Sequence, residues 1–441
     1  MEFLVFIEII FCKEKIFNFI NRYMNENKEG DAVSTRNRNQ RLPMKQWTCR
    51  SADLFLKINQ VGRGTFGEVY KAQYKDPKLS LLKPSSKFVA LKKILTDNEK
   101  EGFPITAIRE ITIMKTLHHN NILPLLEIVT SAPNEENKNR GNVYLVFEYM
   151  EYDFSGLFKT FKHKYQISEI KCIMYQILCG VGYLHKCNVI HRDIKTANIL
   201  LNNNGEVKVG DFGLAKIINP SSNKQLTNKV VTLWYRAPEL LLGSVHYDFG
   251  VDVWSVGCVF SEFLTGVPLF DGLKEEMQVE KIFSKCGTPT EDTWPGVTSL
   301  PRWNSMNPKQ TYKKCLREYY KGISLVDDDA FDLLDKMLTL NPKKRISISE
   351  ALKHKFFSDE HLPKMCKPEE LPKMSSESHE YQSKKEFKEN LMLMKNVNGV
   401  NGMAQIANND YGAMNNHNHH SYNNNNMSNH KEFLGMKRKI D

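Results

Sequence analysis

The sequence predicts an α+β protein in which a small strand-rich part is followed by a larger helical part. Two patterns and one change of composition carry that prediction. Residues 54–95 alternate in the manner of β-strands, most clearly in "VYKAQY" and "FVALKKI". From about residue 167 onward, apolar side chains recur at helical spacing through "ISEIKCIMYQILCGVGYLH", "DVWSVGCVFSEFL" and "AFDLLDKMLTL". Beyond about residue 396, Asn, Gly, His and Met take over, as in "NNHNHHSYNNNN", and such a stretch is too polar to form a core. Packed protein is therefore expected over 53–357. It lies between an extension at 1–52 and a second one at 358–395, which leads into a low-complexity tail at 396–441.

Along the chain, the first extension opens with the apolar run "MEFLVFIEII", interrupted by Glu8. It is too short to span a bilayer and lacks the preceding positive charge of a signal peptide, so an amphipathic or disordered leader is expected and no membrane partner. Basic residues crowd 36–50 (Arg36, Arg38, Arg41, Lys45, Arg50) and return as "KRK" at 437–439; they are solvated charge or, more specifically, a nuclear-import signal. A polar stretch with Pro77 and Pro84 separates the two strands above. Ile105, Ile108, Ile111, Met114 and Leu117 then form one helical face, with Pro104 suited to its first turn. "SAPNEENKNRGN" (131–142) is a polar loop and "VYLVFEYM" (143–150) a continuous apolar strand.

Composition sets outer bounds. The 441 residues suffice for a substantial core, and 41% hydrophobic with 25% charged residues is the balance of a soluble globular chain. The net charge of +10 favours acidic partners such as phosphates; no basic–aromatic module supports direct nucleic-acid binding. Nine cysteines are scattered without a C-x-x-C pair, which is intracellular usage rather than a disulfide framework or a zinc site. Cys172 and Cys179, seven apart in a helical run, read as core.

The chemistry lies in five short motifs. "GRGTFGEV" (62–69) supplies Gly62, Gly64 and Gly67. A dinucleotide-binding turn has the same letters, but it needs a following helix and an acidic residue about 20 positions on. Here a strand follows and that position holds Lys87, so a glycine hairpin lying over phosphates fits better. "VALK" (89–92) brings a strand lysine that could face phosphate oxygens. "HRDIKTAN" (191–198) gathers a carboxylate, a cation and an amide in eight residues. "DFG" (211–213) adds a carboxylate hard enough for Mg²⁺, and "APE" (237–239) closes the segment.

Each motif alone is common by chance, but in this order they match the protein-kinase set, and over 53–357 the chain resembles a eukaryotic protein kinase. The resemblance implies a bilobal fold, with a β-rich N-lobe and hinge over 53–150 and a helical C-lobe over 151–357. Departures are small: Leu91 replaces the usual isoleucine, and Lys216 stands where many relatives carry arginine. It also implies a nucleotide site of Val61, Gly62, Gly64, Gly67, Val69 and Ala90, with Lys92 on the α- and β-phosphates of ATP. In the hinge, Glu148 and Met150 would meet adenine through backbone groups, Phe147 would guard the back of the pocket and Asp153 would lie near the ribose. Asn198 and Asp211 would hold Mg²⁺, Lys195 would neutralise the γ-phosphate, and Asp193 would accept and orient the substrate hydroxyl. Lysine at 195 further resembles serine/threonine kinases.

"PITAIRE" (104–110) resembles the partner-binding helix of cyclin-dependent kinases, and "DNEKEGFPITAIREI" (97–111) the transcriptional branch acting on RNA polymerase II C-terminal repeats, in particular its cyclin K-dependent subgroup. Arg109 and Glu110 point about 100° apart on a helix. Glu110 would turn inward to Lys92; Arg109, Arg192 and Lys216 would grip a phosphate placed on Thr227 by an activating kinase. A cyclin would cover the apolar first turn. Phe66 stands where many cell-cycle members have an inhibitory tyrosine, while Thr65 keeps its hydroxyl. Val230 and Val231 would shape a surface for proline after the target residue. "SHEYQSKKEFKE" (378–389) faintly resembles the extension whose His-Glu pair returns to the nucleotide in that subgroup, but the basic run that follows there is missing. A disordered tail is expected instead, without nucleotide contact by His379. Nuclear localisation follows from the branch. Cell-cycle or RNA-processing substrates, and a non-catalytic cyclin-binding scaffold, are the competing readings.

Overall fold

The computed structural model describes residues 50–64, 67–79, 87–95, 104–133, 141–160, 165–219, 225–306, 308 and 310–397. The apolar leader, most of the first basic cluster, Thr65 and Phe66, residues 96–103 and the Asn-rich tail with its "KRK" lie outside them.

The expected strands form. β1 (Arg50–Ser51), β2 (Phe55–Gly64), β3 (Gly67–Tyr74), β4 (Phe88–Ile94), β5 (Leu125–Thr130) and β6 (Val143–Glu148) make one sheet in the order β1–β5–β6–β4–β3–β2. All neighbours are antiparallel except β1 and β5. In the glycine hairpin Gly62 lies opposite Val69 and Gly64 opposite Gly67. Val69 in turn lies opposite Lys92. Because side chains alternate across a strand, Ala90 and Lys92 share one face of β4 while Leu91 turns to the other. There Leu91 is fully buried with Phe55, Ala72, Val89, Val129 and Tyr144. A Cβ on Gly67 would sit 2.1 Å from the Lys93 carbonyl oxygen, so no larger residue lets β3 and β4 approach this closely.

Helix α1 (Ile105–Met114) follows. Pro104 stands one place earlier than a first-turn residue, as the N-cap, its carbonyl accepting from Ile108 N at 3.1 Å. Ala107, Ile111, Ile113 and Met114 join a core that continues through the C-lobe helices.

The longer helices of that lobe are α2 (Phe154–Thr160), α3 (Ile167–Lys186), α4 (Gly250–Thr265), α5 (Glu275–Cys286) and α6 (Asp328–Met337). Gln166 and Glu169 form a capping box that starts α3, and Asp327 caps α6 by accepting from Ala330 N. Every residue of α4 from Val251 to Leu264 is buried, which is why its sequence is apolar nearly all round. Gly266, at φ 77°, ends it in the left-handed conformation. Five short strands, β7 (Tyr152–Asp153), β8 (Val189–Ile190), β9 (Ile199–Leu201), β10 (Val207–Val209) and β11 (Lys216–Ile217), pair as β10–β9–β7 and β11–β8 and frame the segment 191–198.

The second extension is not a disordered tail. Buried Lys171 on α3 donates to the carbonyls of His361 and Pro363, each at 2.7 Å. Farther on, Ser378 forms a parallel bridge with Tyr152: Ser378 N donates to Glu151 O at 3.2 Å, and Asp153 N to Ser378 O at 3.1 Å. The chain then enters α7 (Glu380–Val397), which packs on α2 and β2. A Cβ on Gly156 would sit 2.8 Å from the His379 backbone, so α2 offers a bare glycine where the extension crosses. The missing basic run misled the expectation because docking here rests on main-chain pairing and burial, not on basic charge.

Candidate active site

Lys92 is the first fixed point. Its Nζ donates to Glu110 Oε1 at 2.7 Å and to Asp211 Oδ1 at 2.9 Å. Glu110 is buried and Asp211 is not, so one partner is structural and the other faces the cleft. Burial acts to lower the lysine's pKa, but the two carboxylates together carry it above the ordinary value. Burial would raise Asp211; Lys92 overrides it and holds the carboxyl at about 2. Each of the pair thus favours the charged form of the other near neutral pH. Asp211 is held at φ 56°, a left-handed conformation that costs a non-glycine residue of order 1 kcal/mol.

The catalytic loop is a closed network around Asp193, itself 7% exposed. Lys195 Nζ donates to Oδ2 at 2.8 Å and Asn198 Nδ2 to the same oxygen at 3.0 Å. Thr232 Oγ1 donates to Oδ1 at 2.8 Å, and Thr232 also accepts from Lys195 Nζ at 3.1 Å. Asn198 Nδ2 donates further to the Asp193 carbonyl at 2.7 Å. With the amide nitrogen used twice inside the loop, Oδ1 of Asn198 is the end left for a cation. Burial acts against the charge of Lys195, but Asp193 raises its pKa. From below, fully buried Asp252 accepts from the main-chain N–H groups of His191 and Arg192, both at 2.9 Å, and from His185 Nε2 at 3.0 Å. This holds Arg192 at φ 65°.

Met150 and Phe147 are buried as a pocket wall requires, and Glu148 pairs through its side chain with Lys208 of β10 at 3.2 Å. The Asp153 carboxylate accepts from Gly156 N through Oδ1 and from Glu380 N through Oδ2, each at 2.7 Å, which leaves a second acceptor site on each oxygen. His379 is buried beside it, with Nδ1 at 3.7 Å from Asp153 Oδ2 and Nε2 at 3.2 Å from the Tyr149 hydroxyl. Tyr149 donates to Glu377 at 2.9 Å, and Glu377 also pairs with Lys71 of β3. Tyr381 donates to Gln60 of β2 at 3.3 Å. Both sides of the hinge are thereby tied to the extension. Val61 is buried, and Val69 and Ala90 are half-buried on the sheet.

In the activation segment Thr227 is exposed. Arg192 Nε donates to Leu214 O at 2.8 Å and its Nη1 to Tyr247 Oη at 3.2 Å; Tyr247 donates in turn to Thr227 O at 2.5 Å. Arg109 is half-buried on α1, which packs against β11, the strand of Lys216. Val231 lies at φ 68°, and its carbonyl accepts from Arg236 Nη2 at 2.9 Å and Nε at 3.2 Å. Sequence reading does not single out Thr232, Tyr247, Asp252, Lys208 and Glu377, since none stands inside one of the five motifs; the nearest signal is that Thr232 lies shortly before "APE".

Residues 55–357 match the protein kinase domain family. The chain is similar to cyclin-dependent kinase C-1 of Oryza sativa subsp. japonica, with 48% identity over 348 residues covering 77% of this chain and 64% of that protein. Cyclin-dependent kinase 12 of Caenorhabditis elegans shares 43% over 360 residues, covering 81% and 47%. The chain therefore spans less than two thirds of the length of these relatives. Among solved structures, one chain of the CAK complex from Chaetomium thermophilum bound to ATP-γ-S superimposes with TM-score 0.64 at 35% identity, covering 73% of this chain and 96% of that one. One chain of the yeast RNA Pol II CTD kinase CTDK-1 complex gives 0.63 at 36%, covering 77% and 100%. Together with the two-lobed fold, these likenesses make the chain a member of the protein kinase family, with cyclin-dependent kinases as its relatives.

Proposed function

We propose that the protein is a nuclear, cyclin-dependent serine/threonine kinase that transfers the γ-phosphate of ATP to Ser-Pro and Thr-Pro sites of RNA polymerase II C-terminal repeats. The observation that carries the chemistry is the network around Asp193, whose carboxylate is aimed by three donors on three residues. Phosphoryl transfer asks mainly for positioning and charge neutralisation. The substrate hydroxyl oxygen attacks the γ-phosphorus while Asp193 takes the hydroxyl proton, and the bond to the bridging oxygen breaks to leave ADP. Lys195, within reach of the same carboxylate, meets the γ-phosphate. Lys92, held by Glu110, grips the α- and β-phosphates beneath the hairpin of Gly62, Gly64 and Gly67. Asp211, ionised and partly exposed, and the Asn198 amide oxygen fit the hard oxygen donors that Mg²⁺ requires. When bound, the ion would neutralise phosphate charge as it develops.

Regulation follows the same residues. The Lys92–Glu110 pair exists only with α1 docked, so a cyclin on this helix would hold the state seen here. A phosphate on exposed Thr227 would add roughly −1.5 to −2 charge. Arg192, already linked to the Thr227 main chain through Tyr247, would grip it together with Arg109 and Lys216. For substrate choice, the Val231 carbonyl is taken by Arg236 and cannot accept from the residue after the target. Proline has no N–H to satisfy, whereas any other residue would bury an unpaired donor at about 1–3 kcal/mol.

The test is to purify the chain with its co-purifying cyclin and compare polymerase-repeat peptides with histone H1. Preference for the repeats supports the reading; preference for the histone removes the transcriptional assignment. A phosphorylated, cyclin-bound sample that binds Mg-ATP and transfers nothing would leave a scaffold.

A further inference from the structure

We propose that Cys172 and Cys366 form an oxidation-sensitive dithiol whose disulfide fastens the C-terminal extension to the C-lobe. The two residues are far apart in sequence and brought together by the fold. Cys366 N donates to Ser168 O at 3.3 Å, in the first turn of α3. One turn farther along the same helix face stands Cys172, and Cys366 packs against the core cluster that contains it. Gln176 Nε2, a further turn on, donates to Cys172 Sγ at 3.6 Å. Lys171 holds the carbonyls of His361 and Pro363 just upstream. The extension is therefore held on α3 at Cys366 and just before it.

Accessibility separates the roles of the two sulfurs. Cys172 is 2% exposed while Cys366 is half-buried at the surface, so an oxidant reaches Cys366 first. With a hydroperoxide, the Cys366 sulfur attacks the distal oxygen, the O–O bond breaks and water or an alcohol leaves, giving a sulfenic acid. The Cys172 sulfur then attacks Cys366 sulfur, displacing hydroxide that departs as water with the Cys172 proton. Two electrons pass from the thiols to the peroxide. Burial raises both thiols above their ordinary values, so little thiolate is present and the pair rests reduced until oxidant is sustained.

The bond would matter because of what lies downstream. From Cys366 the extension runs to Glu377, Ser378 and His379, which lie along the hinge. A covalent tie at 366 would keep the stretch ahead of that segment from peeling off α3. The inference is independent of the substrate reading.

The full-length protein is treated with hydrogen peroxide, blocked with iodoacetamide and mapped by non-reducing peptide mass spectrometry. A Cys172–Cys366 cross-linked peptide, lost with dithiothreitol and absent in Cys366→Ser, is the expected result; exposed Cys187 and Cys315 should take up alkylating agent or over-oxidise. Cleavage of residues 358–397 by added protease should slow several-fold in oxidised wild type and not in Cys366→Ser. Cys172 recovered as a free thiol while Cys366 is alkylated or sulfinylated overturns the pair. A cross-link with unchanged cleavage overturns the fastening.

Discussion

The catalytic loop and the hinge face the same cleft but are organised in opposite ways. Around Asp193 the partners are Lys195 and Asn198, two and five residues away, and Thr232 from the following segment. Around Tyr149 and Asp153 the partners are Glu377, His379 and Glu380, with Tyr149 and Glu377 separated by 228 residues. The loop is a self-contained device whose short spacing lets a few side chains saturate one carboxylate. The hinge is completed by a chain end that returns to it, so one oxygen of Asp153 accepts from the Glu380 N–H of the extension. The network around Asp193 is local in sequence, and the one around the hinge is not.

If the loop carries the chemistry, Asp193→Asn should have the largest effect. It keeps the shape and two acceptor lone pairs but removes the proton acceptor, so kcat should fall about 10²–10⁴-fold with little change in ATP affinity. A matching loss of ATP binding would mean that Asp193 supports the fold of the cleft instead. Thr227→Ala should come next. It forfeits a few charge-assisted hydrogen bonds to the proposed phosphate, so activity should drop on the order of 10- to 100-fold while cyclin affinity changes far less. Equal losses in both would contradict the grip assigned to Arg109, Arg192 and Lys216.

Arg236→Ala probes the boundary between the regions, where the segment after Thr232 meets substrate. Freeing the Val231 carbonyl gives a non-proline residue an acceptor, and discrimination for Ser-Pro over Ser-Ala peptides should narrow by about ten-fold. Unchanged discrimination would place the preference elsewhere. At the hinge, Glu377→Gln keeps an acceptor for Tyr149 and removes the charge facing Lys71. Glu377 is about a third exposed, so solvent weakens the pair. A loss near 1 kcal/mol, read as roughly a five-fold rise in KM for ATP with kcat held, is expected. An unchanged KM would show that the extension docks without bracing the pocket.

The contrast explains what was legible from sequence. β4 runs Phe88–Ile94 and α3 spans Ile167–Lys186, as their patterns indicated, because a two-residue or 3.6-residue period reports which face is buried. Lys92, Asp193, Asn198 and Asp211 lie in motifs, and the structure brings them to one cleft. Asp252 could not be found this way: one carboxylate inside an apolar helix gives no sign that it caps two N–H groups of a distant loop. The extension was missed for a related reason. Its hold depends on Gly156 leaving room and on Tyr152 offering a free strand edge, and neither letter signals that use.

Glu262 supplies the most specific test, because it couples the loop to the core beneath it. Its carboxylate accepts from the Tyr235 hydroxyl at 2.7 Å and from Thr196 Oγ1 at 3.3 Å, deep inside α4. Burial pushes its pKa from 4.5 up to about 7, against the lowering effect of both hydroxyls. With the folded pKa above the unfolded one, the native state holds a proton that the unfolded chain has released between those values. That contribution is complete below about pH 4.5 and is lost as pH rises through about 7. Glu262→Gln is neutral throughout, so its thermal stability relative to wild type should grow from pH 5 to pH 8 and then level off, reaching about 2 kcal/mol. A stability gap that stays constant over that range would show that the side chain is ionised at every pH tested, with the two hydroxyls outweighing the cost of burial.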